Sequence, residues 1–175
     1  MLMSEIHNVV SFATDAHEGQ LRKYTNVPYI IHPISVAFIV ASVVNDPNVI
    51  AAALLHDTLE DTKTTPDDLL KLVGGKATEF VLDVTDVSRL CDGNRKVRKE
   101  IEREHLSAGS PEAKTIKLAD IIDNAPSVIK YDEGFAKIYI EEKRRLLPYL
   151  VEGNAKLYTE VNRIITEYFL TAIER

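Results

Sequence analysis

The stretch AALLHDTLEDT, residues 52–62, sets His56, Asp57, Glu60 and Asp61 directly after an apolar run. His56 and Glu60 are four residues apart, as are Asp57 and Asp61, so on a helix each pair stacks on one side and two polar stripes lie next to each other. Imidazole nitrogen together with carboxylate oxygen suits a borderline or hard divalent ion such as Mn, Fe, Co or Zn, which makes His56 and Asp57 candidate ligands. Glu60 and Asp61, one turn further on, are placed to reach a water beside such an ion. A His-Asp pair at a helix end is more often solvated or locally hydrogen-bonded, so the reading depends on other segments. YIIHPISV sets His32 between an apolar run and a helix start, and AKTIKLADIIDNAPSV delivers Asp120 after another apolar run, with Asn124 one turn later. A buried carboxylate without a partner costs several kcal/mol or takes up a proton, so Asp120 requires one. Three apolar segments that each deliver a ligand-type residue are hard to attribute to chance.

The elements that must position these residues are helical almost throughout. SEIHNVVSFATDAH carries Ile6, Val9, Val10, Ala13 and Ala16 at the spacing of one helix face, starting from Ser4. HPISVAFIVASVV begins with a Pro suited to a first helical turn and is apolar enough to be mostly buried. DPNVIAAALLHDTLEDT reads as one helix capped by Asp46 with Pro47 after it, and TPDDLLKLV repeats the device with Thr65 and Pro66 before stopping at Gly74 and Gly75. Five further helical segments follow: KATEFVLDVTDVS, NRKVRKEIEREHLSA, SPEAKTIKLADIIDNAPSVIK, GFAKIYIEEKRRLLPYL and NAKLYTEVNRIITEYFLTAI. The valines of FVLDVTDVS leave room for one strand, which would be alone. No repeat of 20 to 50 residues and no low-complexity linker divides the chain. The expectation is an all-α fold, a single compact domain over residues 1–175 with about eight to ten helices.

Composition narrows the function. The sequence is 45% hydrophobic and 27% charged, the balance of a globular chain. No apolar run reaches the roughly 20 residues of a membrane crossing, and the first ten residues lack the pattern of a signal peptide, so no membrane partner is expected and the expected location is the cytoplasm. Cys91 is the single cysteine, which leaves any metal to His and carboxylates. A formal charge of −6 argues against nucleic-acid binding through the phosphate backbone. It leaves room for a small phosphorylated ligand, because a pocket's potential is set by local charges.

The order of His32, then His56 with Asp57, then Asp120 resembles the H…HD…D metal signature of the HD-domain phosphohydrolase superfamily. GQLRKYTNVPYIIHPISVA, AALLHDTLEDT, VLDVTDVSR and AKTIKLADIIDN, running from Phe12 to Asn124, resemble more narrowly the hydrolase domain of RelA/SpoT-type proteins and their small stand-alone relatives of the metazoan type. The combination of HDTLED with an upstream RK…PYIIHP carries that resemblance; HD alone would not.

The resemblance implies an HD-domain helical bundle that hydrolyses the 3′-pyrophosphate of ppGpp and pppGpp to GDP or GTP and pyrophosphate, with one divalent ion, Mn(II). It implies His32, His56, Asp57 and Asp120 as metal ligands and Glu60 and Asp61 as the groups that position or activate water. Arg22 and Lys23 of the RK pair would border the nucleotide, and Asn124 would contact the ribose or support the metal shell. Lys117 and the cluster NRKVRKE, Lys96 foremost, are further sources of positive charge for the 5′-diphosphate, although that cluster also reads as a solvated helix face with opposite charges at helical spacing. His7, His17 and His105 fall outside the motif and read as structural or surface residues, and Tyr139 reads as packing. Larger relatives carry a basic residue after LAD, and often NxR; here Ile121 follows Asp120, and Ala125 and Pro126 follow Asn124. Adenosine alarmones such as ppApp, or NADPH, are therefore alternative substrates for an HD phosphatase or phosphodiesterase, and a non-catalytic nucleotide sensor is a third reading.

Overall fold

A computed structural model describes residues 5–173. The chain divides into two compact units, Met1–Asp86 and Val87–Arg175. Among the described residues there are nine α-helices and no strand, only a single antiparallel bridge between Leu21 and Pro28.

The first unit holds α1 (Ile6–Ala16), α2 (Ile31–Ala41), α3 (Pro47–Leu55), the single turn α4 (Thr58–Asp61) and α5 (Pro66–Val84). Helix α1 starts at Ile6, and the expected start at Ser4 lies outside the described residues. Helix α3 is its centre: Val49 through Leu55 are all buried, and the helix packs against α1, α2 and α5. A helix apolar on every side has to be covered on every side. Its start is fixed as the sequence indicates, with the Asp46 carboxylate accepting the N–H of Asn48 and Pro47 in the first turn. Helix α5 opens on a capping box between Thr65 and Asp68. It joins two expected helices across a kink at Gly74, whose φ of 76° and ψ of 172° are not helical and favour glycine. The segment after Val84 is irregular rather than a strand.

The second unit holds a 3-10 turn (Leu90–Asp92), α6 (Arg95–Ala108), α7 (Pro111–Tyr131), α8 (Glu133–Leu146), a second 3-10 turn (Leu147–Leu150) and α9 (Ala155–Ile173). Caps at Asn94, Ser110 and Asp132 start α6, α7 and α8. Helix α7 packs against α8 and α9 and buries Ile116, Leu118 and Ile121 around Asp120. No described helix is long and apolar enough to cross a membrane.

Candidate metal centre

Helix α2 sets His32 in its first turn, where the His32 N–H reaches the Tyr29 carbonyl at 2.8 Å and Pro33 removes a donor that has no helical acceptor. The apolar run of α3 ends at Leu55, and His56 and Asp57 form the turn that leads into α4. Sequence spacing predicts one unbroken helix through Asp61; the structure interrupts it here. The side chains take carbonyls on the same stretch: Thr58 Oγ1 donates to Leu55 O at 2.7 Å, and His56 Nδ1 donates to Ala53 O at 2.8 Å.

That second bond also sets the chemistry of His56. A carbonyl can only accept, so the proton sits on Nδ1 and the neutral ring presents the Nε2 lone pair. His56 Nε2 lies 3.1 Å from Asp57 Oδ2, and His32 Nε2 lies 3.4 Å from the same oxygen. Ligand atoms of His32, His56 and Asp57 all fall within 4.8 Å of one another. His32 is 1% exposed and His56 2%, so both rings present their nitrogens inside the protein. Burial pushes the Asp57 carboxyl up, but without an ion the His56 and His32 rings, when protonated on the nitrogens that face it, outweigh burial by charge and hydrogen bonding and hold the group well below the ordinary carboxylate range. Two imidazole nitrogens and one ionised carboxylate form a donor set that fits a borderline divalent ion. Neutral imidazole against a carboxylate leaves negative charge that such an ion would balance.

Tyr29 closes the cluster from the loop between α1 and α2. Its hydroxyl donates to Asp57 Oδ2 at 2.6 Å and lies 3.4 Å from Asp61 Oδ2. Partial burial, followed by the neighbouring Asp57 charge, raises the Asp61 carboxyl above its ordinary value against the pull of His17 and the Tyr29 hydroxyl. His17, read from the sequence as structural or surface, is buried at 3% exposure, with its ring 4.9 Å from that of Tyr29. Gln20 links it to the turn that carries Asp61: the Gln20 amide donates to Asp61 O at 2.7 Å, and its Oε1 accepts from His17 Nδ1 at 2.8 Å. Gln20 and Asp61 also line an open cavity of about 730 Å³ with Phe12, Asp15 and Lys63. Tyr29, His17 and Gln20 carry no periodic signal in the sequence. The bridge between Leu21 and Pro28, with Asn26 at a φ of 57°, folds the loop so that Tyr29 N–H bonds Gln20 O at 2.9 Å.

The other sequence candidates are placed as follows. Glu60 is exposed, and its Oε1 accepts the N–H of Asp86 at 2.7 Å. Arg22 and Lys23 sit on the same loop as Tyr29; the Lys23 ammonium bonds the Tyr24 hydroxyl at 3.1 Å. In the second unit Asp120 is buried on α7, with Asn124 donating to its Oδ1 at 2.6 Å and Lys117 pairing with its Oδ2 at 3.2 Å. Lys117, expected at the nucleotide, and Asn124, expected at the ribose or in support of the metal shell, both contact Asp120 here. Lys96 lines a cavity of about 670 Å³ in the second unit with Arg95, Lys99, Arg103, Lys137 and Arg145.

Comparison with known proteins accords with a helical fold that brings an HD dipeptide onto a buried histidine. The chain belongs to the HD-domain family, whose model matches residues 10–133. It is 34% identical over 165 residues to the zebrafish (Danio rerio) guanosine-3′,5′-bis(diphosphate) 3′-pyrophosphohydrolase MESH1, covering 92% of this chain and 90% of that one. It is also 34% identical over 141 residues to the guanosine-3′,5′-bis(diphosphate) 3′-pyrophosphohydrolase of Aquifex aeolicus, covering 81% of this chain and 19% of that longer protein. A solved structure of a metazoan ortholog of SpoT that hydrolyzes ppGpp matches with a TM-score of 0.86 at 28% identity, over 96% of this chain and 97% of that one.

Proposed function

We propose that this protein is a metal-dependent hydrolase that removes the 3′-pyrophosphate of guanosine 3′,5′-bis(diphosphate), leaving GDP and pyrophosphate. The observation that carries the reading is the convergence of His32, His56 and Asp57, in a chain related along most of its length to proteins of that activity. On this reading residues 1–175 act as one HD domain, supported by a family match that runs from residue 10 to residue 133. The ligand set is His32, His56, Asp57 and Asp120, with one Mn(II) ion. The substrate is a free nucleotide rather than a nucleic acid, and the place of action is the cytoplasm.

When bound, a divalent ion supplies positive charge for the phosphoryl oxygens and lowers the pKa of water from 15.7 towards 7. The protein does the rest through its own groups. His56, with its proton fixed on Nδ1 by Ala53 O, offers Nε2 as a lone pair. Asp61 takes the proton of the attacking water. We assign this role to Asp61 ahead of Glu60 because Asp61 touches Tyr29 beside Asp57, whereas the Glu60 carboxylate is turned to the Asp86 N–H. Glu60 supports the site by holding the backbone at Asp86. Water adds to the phosphorus on the ribose 3′-oxygen, and the P–O3′ bond breaks with its electron pair going to O3′, which takes a proton from solvent to become the hydroxyl of GDP while Asp61 returns its proton to solvent. Arg22, Lys23, Lys96 and Lys117 balance phosphate charge, and Asn124 holds Asp120 for its role.

A second reading keeps the hydrolase but changes the nucleotide to ppApp or NADPH, favoured by Ile121, Ala125 and Pro126 at positions where larger relatives resembling this chain carry other residues. One experiment separates the two. Purified protein is incubated with ppGpp, ppApp, NADPH and GTP, with Mn(II) or with EDTA, and the products are identified. GDP and pyrophosphate formed from ppGpp only with metal is the expected result; inorganic phosphate from NADPH, with ppGpp untouched, would replace the proposal by the second reading.

A further inference from the structure

One hydroxyl touches both carboxylates of the candidate site. Tyr29 Oη is 2.6 Å from Asp57 Oδ2, the oxygen that both imidazole Nε2 atoms face, and 3.4 Å from Asp61 Oδ2. A tyrosine hydroxyl has a single proton, and the distances assign it to Asp57. The Asp57 carboxylate is thereby oriented by a residue 28 positions away in sequence, on a different element. The ring is braced in turn. It lies 4.9 Å from His17 and 5.7 Å from His32, so its position is set by one buried ring that belongs to the cluster and one that does not. His17 is fixed by Gln20, whose amide must present its N–H₂ to the Asp61 carbonyl and therefore its oxygen to His17. That leaves the proton on His17 Nδ1. His17, Gln20, Asp61 and Tyr29 form a closed ring of contacts around the turn that carries Asp57.

We infer that Tyr29 is a positioning residue that orients the metal-ligand carboxylate of Asp57 beside Asp61, with His17 and Gln20 as the brace that holds its ring. The inference rests on the metal site proposed above. Hydrogen bonds to ligating carboxylates from residues outside the ligand set are worth about 10–100-fold in metal affinity or activity. The contribution is to affinity for the ion, through the carboxylate that receives the hydroxyl's proton.

Tyr29→Phe removes the hydroxyl and keeps the ring that packs on His17 and His32. Titration of metal-free protein with Mn(II) by calorimetry, with Co(II) absorption as a second signal, reads the ligand set without any substrate. Metal affinity of Tyr29→Phe is expected to fall by about tenfold or more, with the melting temperature of the metal-free protein unchanged. At saturating Mn(II), KM for ppGpp is expected to stay within about twofold, because the hydroxyl acts on Asp57 rather than on the nucleotide. Gln20→Ala, which loosens the brace and leaves the hydroxyl, should show the same direction with a smaller size. Equal Mn(II) affinity and equal Co(II) spectra in Tyr29→Phe and the parent would overturn the inference. So would a loss of affinity that only tracks a lower melting temperature. If the parent protein itself binds neither ion, the metal-site reading falls and takes this inference with it, an outcome distinct from equal binding in both proteins.

Discussion

The two units bury polar groups in opposite ways. In the first, His32 and His56 are turned onto one carboxylate oxygen of Asp57, so that two imidazole nitrogens and a carboxylate converge. In the second, the buried charges come with protein partners of opposite or complementary character. Lys114 pairs with Glu152, Arg103 with Glu100, and Glu102 accepts the N–H groups of Val87 and Ser88, each at 2.9 Å. Asp120 has an amide on one oxygen and an ammonium on the other. Ion pairs such as Lys114 with Glu152 serve the fold, whereas two imidazoles turned onto one carboxylate oxygen make a donor set that suits an ion. This is why the first unit is proposed to supply three of the four ligands, and the contacts of Lys117 and Asn124 hold the carboxylate proposed as the fourth, Asp120.

Substitutions can break or sharpen the contrast. Asp57→Ala should have the largest effect: it removes the oxygen that both imidazoles face, and Mn(II) measured by mass spectrometry after dialysis should drop to background together with turnover. Asp61→Asn should retain the ion and lose about 10²–10⁴-fold in kcat, the usual worth of a well-placed proton acceptor. Equal kcat would move the role to another group. Glu152→Ala acts only on the fold. It strands the Lys114 ammonium, whose side chain is 3% exposed, and should lower stability by about 1–3 kcal/mol in denaturant melts while leaving metal content unchanged.

The smallest effect is expected at the surface of the second unit. Glu141 lies between Arg144 and Arg145, whose hydrogen bonds bring its carboxyl down to about 2 from 4.5. A depressed carboxylate stabilises the fold fully above its unfolded value and loses that contribution as pH falls through the folded one. Glu141→Gln should therefore cost about 0.5 kcal/mol near neutral pH and converge on the parent between pH 4.5 and about 2, as followed by thermal melts. Added salt should shrink the difference further.

Much of this contrast is legible in the order of residues alone, and the remainder shows where sequence patterns stop. His32, His56, Asp57 and Asp120 stand out because ligand-type residues end apolar runs, and burial follows directly from such runs. Asp46 and Thr65 announce their helices, since a capping side chain and a following proline act within one turn. The break at His56 is hidden, because it depends on Thr58 and His56 side chains competing for carbonyls in a stretch whose residue types favour a helix. Tyr29, His17 and Gln20 are hidden for a different reason. They meet through a loop shaped by Asn26 in the left-handed region and a single bridge, which leaves no period to detect. Lys117 marks an intermediate case. Three residues before Asp120 on one helix, it is near enough to pair with that carboxylate, a contact that the spacing allows and its charge alone does not announce.

The most direct test of the central claim follows ppGpp by phosphorus NMR while metal-stripped protein is titrated with Mn(II). The account predicts no hydrolysis without metal, and then release of pyrophosphate and GDP that rises with bound Mn(II) and levels off at one ion per chain. Hydrolysis that continues at the same rate in EDTA, or ppGpp left intact when the ion is bound, would contradict it.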